Sequence, residues 1–135
     1  MSQENVEIVR SIYAAWSRGE FSSADWAHPD IECVRADGPD PGSWTGVAAM
    51  ADAWREFMGA WEGYRIDVEG YRELDGERVL AFTRRSGRGQ KSGLEIGQAT
   101  AKGATLWEVH DGLVTRQVTY WDRERALDDL GLSED

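Results

Sequence analysis

Cysteine is almost missing from this chain: Cys33 is the only one in 135 residues. No intrachain disulfide can form, which accords with a reducing cytoplasm. A lone thiol beside apolar residues is expected to be buried and inert. Histidine is nearly as scarce. His28 and His110 stand far apart with no ligand spacing around them, so neither a zinc nor a di-iron site is expected, and no metal ligand is assigned. Basic residues are in the minority, with 15 Lys and Arg against 25 Asp and Glu and a formal net charge of −10. That balance argues against a nucleic-acid backbone or an anionic membrane surface as partner. No apolar run approaches the roughly 20 residues of a membrane helix. The opening MSQENVEIVR is polar and acidic, unlike a signal or transit peptide.

The chain is long enough for one core and too short for two, so residues 1–135 are read as a single domain. Its hydrophobic content of 41% is ordinary, but seven tryptophans are not. Rings of that size need apolar surroundings or a cavity to line.

Helical spacing is clear at both ends of the first half. Over residues 3–18, Val6, Val9, Tyr13 and Trp16 form a stripe that Ile8 and Ile12 widen, with Ser2 as a candidate N-cap and Gly19 as a stop. FSSADWA (21–27) reads as one or two helical turns, His28-Pro29-Asp30 as a turn, and 31–36 as a strand. DGPDPGSWTG (37–46) is rich in Gly and Pro and reads as a loop. A second helix follows over 47–62, with Thr45 as cap, Gly63 as stop and Val47, Met50, Trp54, Phe57 and Trp61 on one face.

The remainder alternates as strands. YRIDVEGYREL and ERVLAFTRRSG meet at Asp75-Gly76, and GATLWEV and LVTRQVTYW meet at Asp111-Gly112; Asp-Gly between alternating runs is a strong hairpin signal. SGRGQKSGLEIGQ, between the hairpins, reads as a loop or ragged strand edge. Its glycines lack the strand-to-helix setting of a phosphate loop. RERALDDLGL reads as a final helix capped by Asp122 and stopped at Gly131. The order predicts an α+β domain: a curled antiparallel sheet wrapped over the N-terminal helices, enclosing a cone-shaped cavity.

ENVEIVRSIYAAWSRGEF, HPDIE, WTGVAAMADAW and LWEVHDGLVTRQVTYWDRERALDDLGL, in that order, resemble the SnoaL-like branch of the nuclear transport factor 2-like (cystatin-like) superfamily. The resemblance implies the cystatin-like roll. It does not imply one reaction, because the superfamily includes ketosteroid isomerases, polyketide cyclases, limonene-epoxide hydrolases, dehydratases and non-enzymatic binders.

Strand alternation and the resemblance together put Gln117, Thr119 and Trp121 toward the cavity. Epoxide hydrolases of the superfamily carry an acid at the position matching Thr119, and a threonine cannot be the carboxylate base. On the strand 78–86 the larger apolar residues Leu80 and Phe82 are taken as inward, which carries Arg84 inward too. Arg84 is then either a clamp for a ligand oxygen or a cation stacked on an aromatic or reaching the rim. Asp37, at the open end of the first strand, is either a catalytic base or an Asx-turn residue before Gly38-Pro39. Tyr13 is one residue away from the isomerase oxyanion tyrosine, and Thr105 or Leu106 stands where the isomerase has its protonated acid. The isomerase set is incomplete, and Tyr13 remains a polar handle or a core residue.

Trp16, Trp54, Phe57, Phe82, Trp107 and Trp121 are the expected lining of a flat apolar pocket. Three readings stay open. The chain binds a small hydrophobic molecule and performs cofactor-independent proton transfer with Asp37, Arg84 and Tyr13; or it binds without catalysis; or it is an interaction domain with a filled cavity. No cofactor is implied. A homodimer is expected through the outer sheet face, where Leu106 and Tyr120 need cover.

Overall fold

The computed structural model describes residues 2–18, 20, 25–37, 41–59, 61–89 and 101–132, with the side chains at 2–3, 57–59, 61–64, 87–89 and 101 excepted. Helix α1 (Ser2–Ser17) is followed by strand β1 (Ala27–Arg35), short strand β2 (Gly42–Thr45) and helix α2 (Val47–Gly59). Strands β3 (Trp61–Glu73), β4 (Arg78–Gly89), β5 (Ala101–His110) and β6 (Leu113–Tyr120) then lead into helix α3 (Arg123–Leu130). One curled, unclosed sheet runs in the order β2-β1-β6-β5-β4-β3. β3 to β6 form the expected antiparallel meander, while β1 lies parallel to β6. The α+β architecture read from the sequence is the one observed.

The two hairpin turns fall where the Asp-Gly pairs predict. Asp111 and Gly112 both take positive φ, 52° and 80°, which is the two-residue turn whose twist matches that of its strands. At the other turn Asp75 Oδ1 accepts from the amides of Glu77 and Arg78 at 2.8 and 3.0 Å. The α3 boundaries also follow the sequence. Asp122 accepts from the Glu124 amide, and Gly131 ends the helix in the left-handed region at φ 67°.

Elsewhere the boundaries move. His28, Pro29 and Asp30 belong to β1, whose pairing with β6 is irregular between Ala27 and Glu32. That irregularity admits a proline without breaking the strand. Gly42 to Thr45, read as loop, pairs antiparallel with β1. α2 stops at Gly59, so Trp61 opens β3 instead of continuing the helical face, and Gly63 lies inside that strand. Of the helical turns expected over 21–27, residues 25 and 26 form a turn and Ala27 already belongs to β1; the rest of that stretch lies outside the described residues, as do the stop at Gly19, the Gly38-Pro39 turn and most of SGRGQKSGLEIGQ.

Each face of the sheet has its own core. Against the inner face, α1 and α2 bury Val6, Val9, Ile12, Tyr13, Ile31, Cys33, Val79, Ala81, Trp107, Val109 and Val114. On the outer face α3 places Ala126 and Leu127 over Leu80, Ala104, Leu106, Val118 and Tyr120. Leu106 and Tyr120 are therefore covered by their own chain, 4% and 6% exposed, and they offer no bare apolar face for a second copy. Beyond α3 the outer face is polar, where Arg116 bridges Glu32 and Glu108 at 2.7 and 3.2 Å.

Arg123 fastens α3 to the sheet. Its guanidinium donates to the carbonyls of Gly103 and Thr83 and to Glu69 at 3.1, 3.0 and 2.6 Å, and it lies over Phe82.

Candidate functional site in the cone

The inner face can be read off the register, because paired residues in adjacent strands share a side. One row crosses Cys33, Gln117, Trp107 and Val79; the next crosses Arg35, Thr119, Thr105 and Ala81. Beyond them on β4 and β3 come Thr83 beside Val68 and Arg85 beside Ile66. Gln117 and Thr119 therefore face inward as expected from alternation.

Arg84 does not. Leu80 and Phe82 pack beneath α3 on the outer face, and Arg84, on the same parity, pairs there with Glu69 at 2.8 Å while its side chain stays 44% exposed. The inward cation is its neighbour Arg85, only 4% exposed. Residue size does not mark the inward side here, because β4 has a core on each of its faces, Val79 and Ala81 in one and Leu80 and Phe82 in the other. The alternative parity, Val79-Ala81-Thr83-Arg85, was available in the sequence and carries the polar groups.

The Arg85 guanidinium lies over the Trp121 ring at 5.3 Å and approaches the Tyr120 carbonyl at 3.5 Å. Gly103, opposite Thr83, makes this possible. A Cβ there would collide with the Tyr120 carbonyl oxygen and come within 3.0 Å of Arg85 Nη1.

Aromatic rings from α1, α2 and β5 and the ring of Trp26 pack against one another on the inner side. Trp16 stacks on Trp54 at 5.4 Å. Tyr13 meets Trp16 and Trp107 edge-on at 5.3 and 5.6 Å, and Trp26 meets Trp16 and Trp107 at 6.3 and 5.7 Å. Trp107 is fully buried, and its indole N–H donates to the Tyr13 hydroxyl at 3.2 Å. Burial pushes the Tyr13 phenol up to about 12, against the opposing influence of Thr105, Arg85 and Trp107. Phe57 lies on α2, but its side chain is outside the described residues.

Two polar atoms in this interior are unusual. Thr83 Oγ1 and Thr105 Oγ1 are buried without a hydrogen-bond partner. Thr105 stands near enough to the phenol to influence it, but geometry denies it a hydrogen bond there.

Asp37 is at the rim, where its carboxylate accepts from the amides of Trp121 and Asp122 at 2.5 and 3.3 Å. It ties the end of β1 to the start of α3. Arg35, on the same rim, lies over Trp44 at 4.6 Å and donates to the Ala53 carbonyl at 3.0 Å. The Cys33 thiol is pushed up to about 11 by burial, which keeps it protonated near neutrality. Among the described residues, no three His, Cys, Asp or Glu side chains converge as metal ligands, and no helix is long and apolar enough to cross a membrane.

Thus the structure brings Tyr13, Trp16, Trp54, Trp107, Gln117, Thr119 and Trp121 to the inner side of the sheet, turns Arg84 and Phe82 outward, and adds Thr83, Arg85 and Thr105. A helix-backed curled sheet with an aromatic and partly polar interior defines a nuclear transport factor 2-like protein. The SnoaL-like domain model matches residues 9–117, and the chain belongs to that family.

Solved structures agree on the fold. A nuclear transport factor 2-like protein of unknown function from Burkholderia pseudomallei is 20% identical, with a TM-score of 0.75 over 95% of this chain and 97% of its own. TerC, co-crystallised with polyporic acid, is 25% identical with a TM-score of 0.68 over 94% and 97%. A protein of ketosteroid isomerase-like fold from Catenulispora acidiphila, in complex with trimethylamine, is 17% identical with a TM-score of 0.70 over 94% of each chain. No curated protein matches the sequence.

Proposed function

We propose that this protein binds a small hydrophobic molecule at the inner face of the sheet, and that binding rather than proton transfer is its principal activity. The observation that carries this reading is an aromatic interior adjoined by buried polar groups with unused hydrogen-bonding capacity, Thr83 Oγ1 and Thr105 Oγ1. Similar folds hold small molecules, polyporic acid with TerC and trimethylamine with the Catenulispora protein.

Catalysis has less support. A general base needs a carboxylate or imidazole within reach of a substrate proton. Asp37 already accepts from two backbone amides, and position 119 holds a threonine. Tyr13, with its phenol held protonated, fits a hydrogen-bond donor better than a base.

The test is fluorescence titration with a panel of small aromatic compounds, followed by mass spectrometry of each bound compound. Quenching of tryptophan emission with the compound recovered unchanged is expected. Chemical conversion that Asp37→Asn abolishes would replace binding with catalysis as the main activity. Failure of every compound to bind would leave the filled-cone interaction domain in its place, a reading favoured by the packed rings of Trp16, Trp26, Trp54 and Trp107.

A further inference from the structure

The two helices on the inner face are not seated alike. α1 buries Val6, Val9, Ile12 and Tyr13. α2 is at least as apolar in sequence, yet among its described side chains, residues 47–56, Ala53 alone is buried. Val47, Met50 and Trp54 are half-buried. The helices also rest on different parts of the sheet, α1 over β3 and β4 and α2 over β1, β2 and β3. Between them Trp16 of α1 and Trp54 of α2 lie face to face, 5.4 Å apart and 24° from parallel. Both rings are partly exposed, and Trp16 touches the fully buried Trp107 at 6.0 Å.

The chain enters α2 through Gly46, whose φ of 94° lies in the region that glycine adopts without strain. Space is not the reason for glycine there, since a Cβ would find its nearest atom, the Pro29 carbonyl oxygen, at 3.7 Å. The Gly46 amide donates to the Ile31 carbonyl at 2.7 Å, and its carbonyl accepts from the Met50 amide at 3.0 Å. That residue therefore anchors the helix to β1 while remaining free to rotate. A helix with little buried apolar surface separates from its sheet at a fraction of the cost of unfolding. Its internal hydrogen bonds travel with it.

We propose that α2 is a lid over the β1 side of the inner face, swinging about Gly46 and parting Trp54 from Trp16 to admit a small molecule. The admission rests on the small-molecule reading above, and the movement does not.

Two measurements on the unliganded full chain test it. In native-state hydrogen exchange, amides of 47–56 should exchange about a hundredfold or more faster than those of β4. Low, non-denaturing urea should speed β4, which opens by unfolding, and leave 47–56 nearly unchanged, because the swing exposes less surface. Cys33, buried on a strand that α2 covers, reports access: methyl methanethiosulfonate should label it at the rate set by α2 opening, with the same weak response to urea. Gly46→Ala strains the closed lid and should speed both exchange of 47–56 and labelling of Cys33 about tenfold. Should that variant fail to fold, the urea dependence of the unmodified protein decides. Exchange of 47–56 in step with β4, or Cys33 labelling that rises with urea as steeply as β4 exchange, would overturn the lid. Absence of binding in the fluorescence panel would overturn the small-molecule reading without touching either measurement.

Discussion

Thr83→Val should make this protein more stable. Thr83 is fully buried and its Oγ1 has no hydrogen-bond partner, so folding strips water from a hydroxyl and returns nothing. Protein mutational data put that cost at about 1–3 kcal/mol. Valine has the same branched outline and suits a strand equally well, so neither packing nor backbone preference opposes the change. The Thr83 carbonyl keeps its bond from Arg123. A gain of about 1–2 kcal/mol is expected. For a chain of 135 residues, unfolding entropy near 2.1 cal/mol/K per residue converts each kcal/mol into about 3–4 °C of Tm. Urea unfolding followed by tryptophan fluorescence should show a higher midpoint with an unchanged slope, since the surface exposed on unfolding is the same. A lower midpoint would show that the hydroxyl has a partner in the folded protein. Thr83 Oγ1 would then have no unused hydrogen-bonding capacity to offer a bound molecule.

Gly103→Ala should destabilise by about 3 kcal/mol or more, since the added carbon meets backbone rather than a movable side chain; chemical denaturation measures it, and a change under 1 kcal/mol would show that β6 can move away. Asp122→Ala removes the acceptor for the Glu124 amide and should cost about 1 kcal/mol; Asp122→Asn, which keeps an acceptor, should restore most of it. At high pH the buried phenol dominates. Tyr13 is raised from 10.0 to about 12 in the folded protein, so between those values the unfolded chain has released its proton while the folded one has not. Stability is therefore unaffected by this group below about pH 10 and falls as pH rises toward 12, by on the order of 3 kcal/mol in all. Cys33, Tyr71 and Tyr120 are raised too and act in the same direction. Ultraviolet titration of Tyr13→Phe against the unmodified protein should remove a late-ionising phenol; loss of one that ionises near 10 would refute its burial.

Local chemistry was the legible part of the sequence. Asp111-Gly112, Asp75-Gly76, the Asp122 cap and the Gly131 stop each act through their own backbone, and each is found where its residues put it. The facing of β4 was not legible, because α3 covers the outer side of the sheet and gives Leu80 and Phe82 a core of their own. Nor was β2, whose Gly42 to Thr45 become a strand only because β1 is there to pair with. Of the site, the inner rings and Thr119 followed from alternation, whereas Arg85 and Thr83 depended on a parity that only the packing of α3 could decide. Asp37 is legible only as an acid at the end of the first strand, a base or a turn residue. Its acceptance from Trp121 and Asp122, some 85 residues away in the chain, has no local signature.

The parallel pairing of β1 with β6 has a kinetic side. β1 ends at Arg35, and its neighbour in the sheet begins only at Leu113. Apart from the short β2, β1 has no other strand beside it, and the Asp37 clasp also waits for Trp121. As the chain leaves the ribosome, α1 and β1 must persist without β6 until residues 113–120 have been made. Loop closure over such a span is entropically costly and is completed late. The meander from β3 to β6, built from neighbours, is the part able to form first and serve as the template that the earlier strand joins. Slow folding, and exposure of Ile31 and Cys33 until β6 arrives, are thus consequences of where the chain begins its sheet.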